Sequence, residues 1–237
     1  MTKSEKSPFF DAVFWRYIKR SLRRHFNSLR VAFEEPLPEG PFLFIANHHT
    51  WWDGFFIYAL NHLCLRHDVH VMMGEEQFRR FSFFRKLGVF SINQNSLADI
   101  RAAFVYSVEV LHSSPNASLW IFPTGEMTPY GKEPAYKDGF ARIAAQAGNV
   151  SVVPVTFRIE YGEKQLPDVY VLFGRARAVT GSDSTSVFHE STHELDRLTA
   201  RLAQRVQRGE TGGMNTLLYG RLTVSDRYAR FKERMWK

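Results

Sequence analysis

Six short apolar runs recur through the chain, all but the fifth followed by a segment with helical spacing, and this alternation restricts the fold more than any other feature. The runs are PFLFIAN (41–47), VHVMM (69–73), VFSI (89–92), LWIFP (119–123), VSVVPVTF (150–157) and VYVLFG (169–174). They are too short for helices, rich in Val, Ile and Phe, and apolar at successive positions, so they read as strands buried on both faces. Between and after them, residues 50–65, 77–87, 97–112, 138–147 and 192–208 have helical patterns. Strands alternating with helices of this length predict an α/β fold, a mostly parallel central sheet covered by helices on both faces.

The 237 residues suffice for one well-cored domain with appendages, and 44% hydrophobic content is that of a globular protein. We expect an N-terminal helix in 1–35, a central domain over 36–180 with its first boundary in the proline-rich connector EEPLPEG (34–40), and a helical extension over 181–237. No apolar run is long enough to span a bilayer, and Arg16 interrupts the N-terminal apolar patch, so neither a membrane span nor a secretory leader is expected. The single cysteine, Cys64, rules out an intrachain disulfide and fits a reducing compartment; its apolar run (YALNHLCL) suggests a buried thiol.

The formal net charge of +7 points to an anionic partner. Between Ala12 and Phe33 stand Arg16, Lys19, Arg20, Arg23, Arg24 and Arg30, with no acid. Phe14, Trp15, Ile18, Leu22, Phe26 and Leu29 recur at helical steps among them. A basic amphipathic helix of this kind suits a membrane interface; the same pattern also suits a helix packed on its own domain. Nucleic-acid binding is the weaker expectation, because the remaining basic residues are scattered and no RNA- or DNA-binding signature accompanies them.

The stretch NHHTWWDGFF (47–56), directly after the first apolar run, admits four readings. Thr50 and Asp53 resemble a helix-capping pair, which leaves both histidines unexplained. His48, His49 and Asp53 as metal ligands lack a completing cluster, so no metal is expected. His48 and Asp53 form a base and its orienting carboxylate, if the turn between strand and helix brings them together. Finally, His48-His49-x3-Asp53-Gly54 spells the HHxxxDG pattern of condensation domains and chloramphenicol-acetyltransferase-like enzymes, in which the base is the second histidine, here His49.

Four blocks taken together favour the third reading. NHHTWWD resembles the NHx4D block of the glycerophospholipid acyltransferases, the lysophosphatidate acyltransferase-like family. LGVFSINQN (87–95) sits where that family carries Gly-x-aromatic-x-Ile-x-Arg. IFPTGEMTP (121–129) is similar to its FPEGTRS block, and VVPVTF (152–157) to its apolar-Pro-apolar block. EEQFRRFSFFRKLG (75–88) also resembles the stretch between the first two blocks. The resemblance implies acyl transfer from acyl-CoA or acyl-ACP to a lipid hydroxyl, without a cofactor, at the cytoplasmic periphery of a membrane touched through residues 12–33. It makes His48 the general base and Asp53 its partner. It puts Pro123, Thr124, Gly125 and Glu126 in the thioester loop, with the Gly125 N–H at the oxyanion. The family's phosphate-holding arginines are replaced by Gln94 and Met127, so Asn93, Gln94 and Met127 become the acceptor-binding positions. The acceptor then need not carry the usual phosphate, since neither side chain matches a guanidinium on an anion. A catalytically inactive, lipid-binding relative fits the altered third block as well.

Overall fold

β2 (Phe42–Ala46) is buried along its whole length, and its side chains alternate between two cores. Phe42, Phe44 and Ala46 face one side with Ile18, Leu22 and Phe56; Leu43 and Ile45 face the other with Ala103, Phe140 and Leu195. A strand can sustain this only when helices cover both faces of its sheet. The computed structural model describes residues 1–181 and 183–222, with Tyr228 and Lys232 beyond them; the rest of the expected polar tail lies outside the described residues.

In chain order the elements are α1 (Pro8–His25), β1 (Ser28–Phe33), β2, α2 (Asp53–Leu60), β3 (Asp68–Gly74), α3 (Glu75–Arg80), β4 (Val89–Ile92), α4 (Leu97–Ser113), β5 (Ala117–Ile121), α5 (Gly139–Ala147), β6 (Val150–Glu160), β7 (Asp168–Phe173), β8 (Arg177–Val179), α6 (Ser184–Gln207) and β9 (Asn215–Tyr219). A π turn (Asn61–Leu65) extends α2, and a 3-10 turn (Ser82–Leu87) follows α3. The sheet order is β4-β3-β5-β2-β6-β7-β1-β9, with β8 also on β6. From β4 to β6 every pair is parallel, so the carboxyl ends of β4, β3, β5, β2 and β6 share one rim. β7 turns back antiparallel on β6, and β1 runs parallel to β7.

Pro154 sits inside β6, where a missing N–H is costly in a central strand. Its carbonyl accepts from Gly174 N–H at 2.9 Å, so its nitrogen faces the same side. There β8 pairs only as far as Val152 and β7 begins at Val155, so Pro154 falls between the two ladders.

Two expectations are corrected at the N-terminus. The basic helix stops at His25, where Phe26 turns extended, and Ser28–Phe33 is a strand. Its alternating Leu29 and Val31 are buried against the sheet and do not continue a helical face. Moreover, the face formed by Phe14, Trp15, Ile18 and Leu22 packs inward on the protein. What α1 leaves exposed is a second stripe, Phe9, Val13 and Tyr17, beside Arg16 and Arg20. Elsewhere the differences are of extent. The helix expected over 77–87 breaks at Phe81 into α3 and the 3-10 turn. α6 begins at Ser184, capped by Asp183, and so is about two turns longer than its apolar pattern. Cys64 is half-buried, its thiol donates to Leu60 O at 3.3 Å, and burial pushes its pKa up to about 11.

Candidate active site

β2 and β5 are neighbours on the shared rim, and the chain leaves both toward the same place. Asn47, the first residue beyond β2, is buried, and its amide clips the longer strand β6. Its Nδ2 donates to Phe157 O at 2.9 Å, and its Oδ1 accepts from Phe157 N–H at 2.8 Å. That fixes the position from which His48 departs. The His48 ring lies parallel to Phe122, the first residue beyond β5, at 4.1 Å between centroids.

Asp53, at the first position of α2, is 1% exposed and accepts from four donors. Its Oδ2 takes His48 Nδ1–H at 2.9 Å, His49 N–H at 2.8 Å and Thr50 N–H at 2.9 Å, while Oδ1 takes the Thr50 hydroxyl at 2.8 Å. A carboxylate can only accept, so the partner nitrogen of His48 is the protonated one and Nε2 is left as the basic lone pair. The capping reading is corrected: Thr50 N–H does donate to Asp53, but the Thr50 hydroxyl accepts from Trp52 N–H, and the helix starts at Asp53 with Trp52 at its N-cap and no side-chain cap.

His49 is turned away. Its Nδ1 donates to Thr128 O at 2.5 Å and its ring rests against Tyr130 at 4.2 Å. Thr128 N–H donates in return to His48 O at 2.7 Å, so the loop after β5 is tied to the histidine pair. Tyr130 accepts from Ile159 N–H at 3.1 Å, and burial raises the pKa of its hydroxyl.

His48 stands on a cavity of about 760 Å³. The walls are apolar: Val69, Val71, Met72 and Met73 of β3, Val89 of β4, Tyr58 of α2, Phe14 of α1, and Phe84 with Leu87 of the 3-10 turn. Long flexible methionines among rigid rings suit a chain-like apolar guest. Of the loop predicted to serve it, Gly125 and Glu126 reach the cavity, as do Gln94 and Met127. Pro123 and Thr124 do not line it. Pro123 O accepts from Lys137 N–H at 2.9 Å and the Thr124 hydroxyl donates to Glu126 O at 2.7 Å, so both brace the loop. Asn93 is also off the cavity; its side chain accepts from Asn95 N–H at 3.0 Å in a local turn.

The expectation that the Gly125 N–H meets an oxyanion is corrected. That N–H closes a turn on Phe122 O at 2.9 Å, with Gly125 at φ +71°, where a glycine is favoured. The Glu126 and Met127 N–H groups have no acceptor among the described residues. Among the described residues no group of three or more His, Cys, Asp or Glu could hold a metal ion.

Asn47, Phe122, Arg80 and Lys137 were not among the predicted site residues. Asn47 carried a local signal, a polar amide ending a buried strand, and Phe122 and Arg80 lie within the blocks 121–129 and 75–88. Lys137 is brought to Gln94 from a distant part of the chain. No curated protein matches this sequence. Residues 28–158, which contain both loops and the histidine–aspartate pair, match the family described as Acyltransferase. The chain therefore belongs to the acyltransferase family that includes the lysophosphatidate acyltransferase-like enzymes.

Proposed function

We propose that this acyltransferase is an O-acyltransferase, moving a fatty acyl group from acyl-CoA or acyl-ACP to a hydroxyl of a lyso-lipid or related amphiphile. The observation that carries the proposal is the single free nitrogen of His48, backed by buried Asp53, on an apolar cavity able to take an acyl chain. His48 Nε2 removes the proton of the acceptor hydroxyl as its oxygen attacks the thioester carbonyl. Asp53 holds the tautomer and stabilises the imidazolium that forms. The N–H groups of Glu126 and Met127 are the donors for the tetrahedral oxyanion. On collapse the carbon–sulfur bond breaks and the leaving thiolate takes the proton back from His48, so the residue ends as it began.

The orientation of His49, bonded to a backbone carbonyl and off the cavity, favours His48 over the HHxxxDG assignment. The proposal places the protein at the periphery of a membrane, on the cytoplasmic face. Its contact is the stripe Phe9, Val13 and Tyr17 with Arg16 and Arg20, apolar groups for the interface and cations for anionic lipid.

The test is acyl transfer by purified wild type, His48→Ala and His49→Ala, with acyl-CoA and a panel of lyso-lipids. His48→Ala should lose at least about 10³-fold and His49→Ala less than about tenfold. The reverse pattern would reassign the base. Transfer absent from wild type with every donor and acceptor would leave a lipid-binding relative without activity.

A further inference from the structure

The second histidine of the pair takes no part in the proton transfer, yet it is held as firmly as the first. Its backbone N–H donates to Asp53 Oδ2 at 2.8 Å, and its ring Nδ1–H donates to Thr128 O at 2.5 Å. A carbonyl can only accept, which fixes that tautomer. Thr128 is buried and its N–H donates to His48 O at 2.7 Å, so both polar groups of its backbone are spent on the histidine pair. Tyr130 backs the His49 ring at 4.2 Å and is itself pinned by accepting from Ile159 N–H.

A second pin holds the same loop from its buried side. The Thr124 hydroxyl, itself buried, donates to Glu126 O at 2.7 Å. The peptide joining Glu126 to Met127 is trans, so its N–H, carried by Met127, points opposite to that carbonyl. Thr124 does not line the cavity, whereas Glu126 and Met127 do. The Met127 N–H is therefore aimed away from the buried threonine, and it has no acceptor among the described residues. Met127 is thus bracketed by two fixed peptides, one held by Thr124 and the other by His48 O and the His49 ring.

We infer that His49 and Thr124 are positioning residues that hold the Met127 N–H at the angle the tetrahedral oxyanion requires. The inference rests on the acyl-transfer reading, in which that N–H is an oxyanion donor. A donor aimed in advance needs no reorganisation as charge develops on the oxygen. His49 is bonded through its backbone to the carboxylate behind the base and through its ring to the loop, so one residue links the two halves of the site. The doubled histidine then carries two separate tasks, proton transfer at His48 and loop register at His49.

Equilibrium binding tests this apart from turnover, with tryptophan fluorescence as the readout because Trp51 lines the cavity. Two analogues of acyl-CoA with the same chain are compared: a difluoromethylene ketone, which hydrates to a tetrahedral diol, and a thioether without a carbonyl. The ratio of their Kd values isolates the contacts made to the tetrahedral oxygen. Removing an oxyanion donor outright costs about 10²- to 10³-fold, and loosening its aim costs less. His49→Ala and Thr124→Val should each shrink the preference for the ketone by about 3- to 10-fold, with kcat falling in parallel and KM for acyl-CoA within about twofold. His49→Asn, whose amide nitrogen can donate to Thr128 O in place of Nδ1, and Thr124→Ser, which keeps the hydroxyl, should restore most of the preference. Thr124→Val keeps the side-chain shape and carries the test alone if His49→Ala does not fold. A preference within about twofold of wild type in either variant overturns the inference, as does an equal weakening of both analogues, the mark of a merely structural role. Failure of the acyl-transfer reading shows separately, as transfer that is absent or indifferent to His48→Ala.

Discussion

Replacing Asp53 by asparagine removes one charge while keeping most of the geometry, which isolates the electrostatic part of its role. The amide oxygen can take the place of Oδ2 and keep its three donors, His48 Nδ1–H, His49 N–H and Thr50 N–H. The amide nitrogen then faces the Thr50 hydroxyl, which rotates to accept. The His48 tautomer is preserved, so folding stability should fall by only about 1–2 kcal/mol, for weaker hydrogen bonds and a lost helix-dipole charge. Catalysis loses the attraction between carboxylate and imidazolium. With charge centres about 4–5 Å apart and an effective dielectric of about 20, that is about 4 kcal/mol, a rate loss of roughly 10²- to 10³-fold. Asp53→Ala instead leaves two backbone N–H groups without their acceptor and frees the imidazole to change tautomer, destabilising by about 3–5 kcal/mol. Single-turnover transfer, followed by thiol release, reports the rate, and urea unfolding reports stability. An Asp53→Asn variant within about fivefold of wild-type rate, or one as unstable as Asp53→Ala, would refute this account.

Asn47→Ala should cost about 2–4 kcal/mol in urea unfolding, because both polar groups of Phe157 lose their buried partner; a change below about 0.5 kcal/mol would show that the clip does not matter. His70 is buried among Lys6, Asp68, Ser4 and the Tyr106 hydroxyl; burial, then the Lys6 charge, holds it at about 4 against an ordinary 6.5, with Asp68 opposing. The folded state keeps it neutral while the unfolded chain takes up a proton, so the stability is complete above about pH 6.5. It is lost as pH falls toward 4, by up to about 3 kcal/mol. His70→Gln should flatten that part of the pH–stability curve, and an unchanged slope would count against it.

The local features of this protein were legible because their causes are local. A strand buried on both faces must be apolar at successive positions, so β2, β5 and β6 announce themselves and with them the parallel sheet. His48 and Asp53 are five residues apart across one strand-to-helix turn, a distance over which backbone geometry alone can pair them. Periodicity carries no record of partners that are distant in the chain. Ser28–Phe33 became a strand because β7 and β9 offered it hydrogen bonds, overriding its resemblance to a continuing helix. The inward face of α1 was equally suited to lipid until tertiary packing chose the protein. Lys137 reaches Gln94 across 43 residues, and the Gly125 N–H was spent in a turn that no spacing foretold. The sequence by itself determined the parallel core of the sheet, the histidine and its carboxylate, since each follows from short-range sterics and burial. Which helix face was free, which amide could meet an oxyanion and how the loop after β5 is pinned were decided by the tertiary structure, because each depends on groups that only packing brings together.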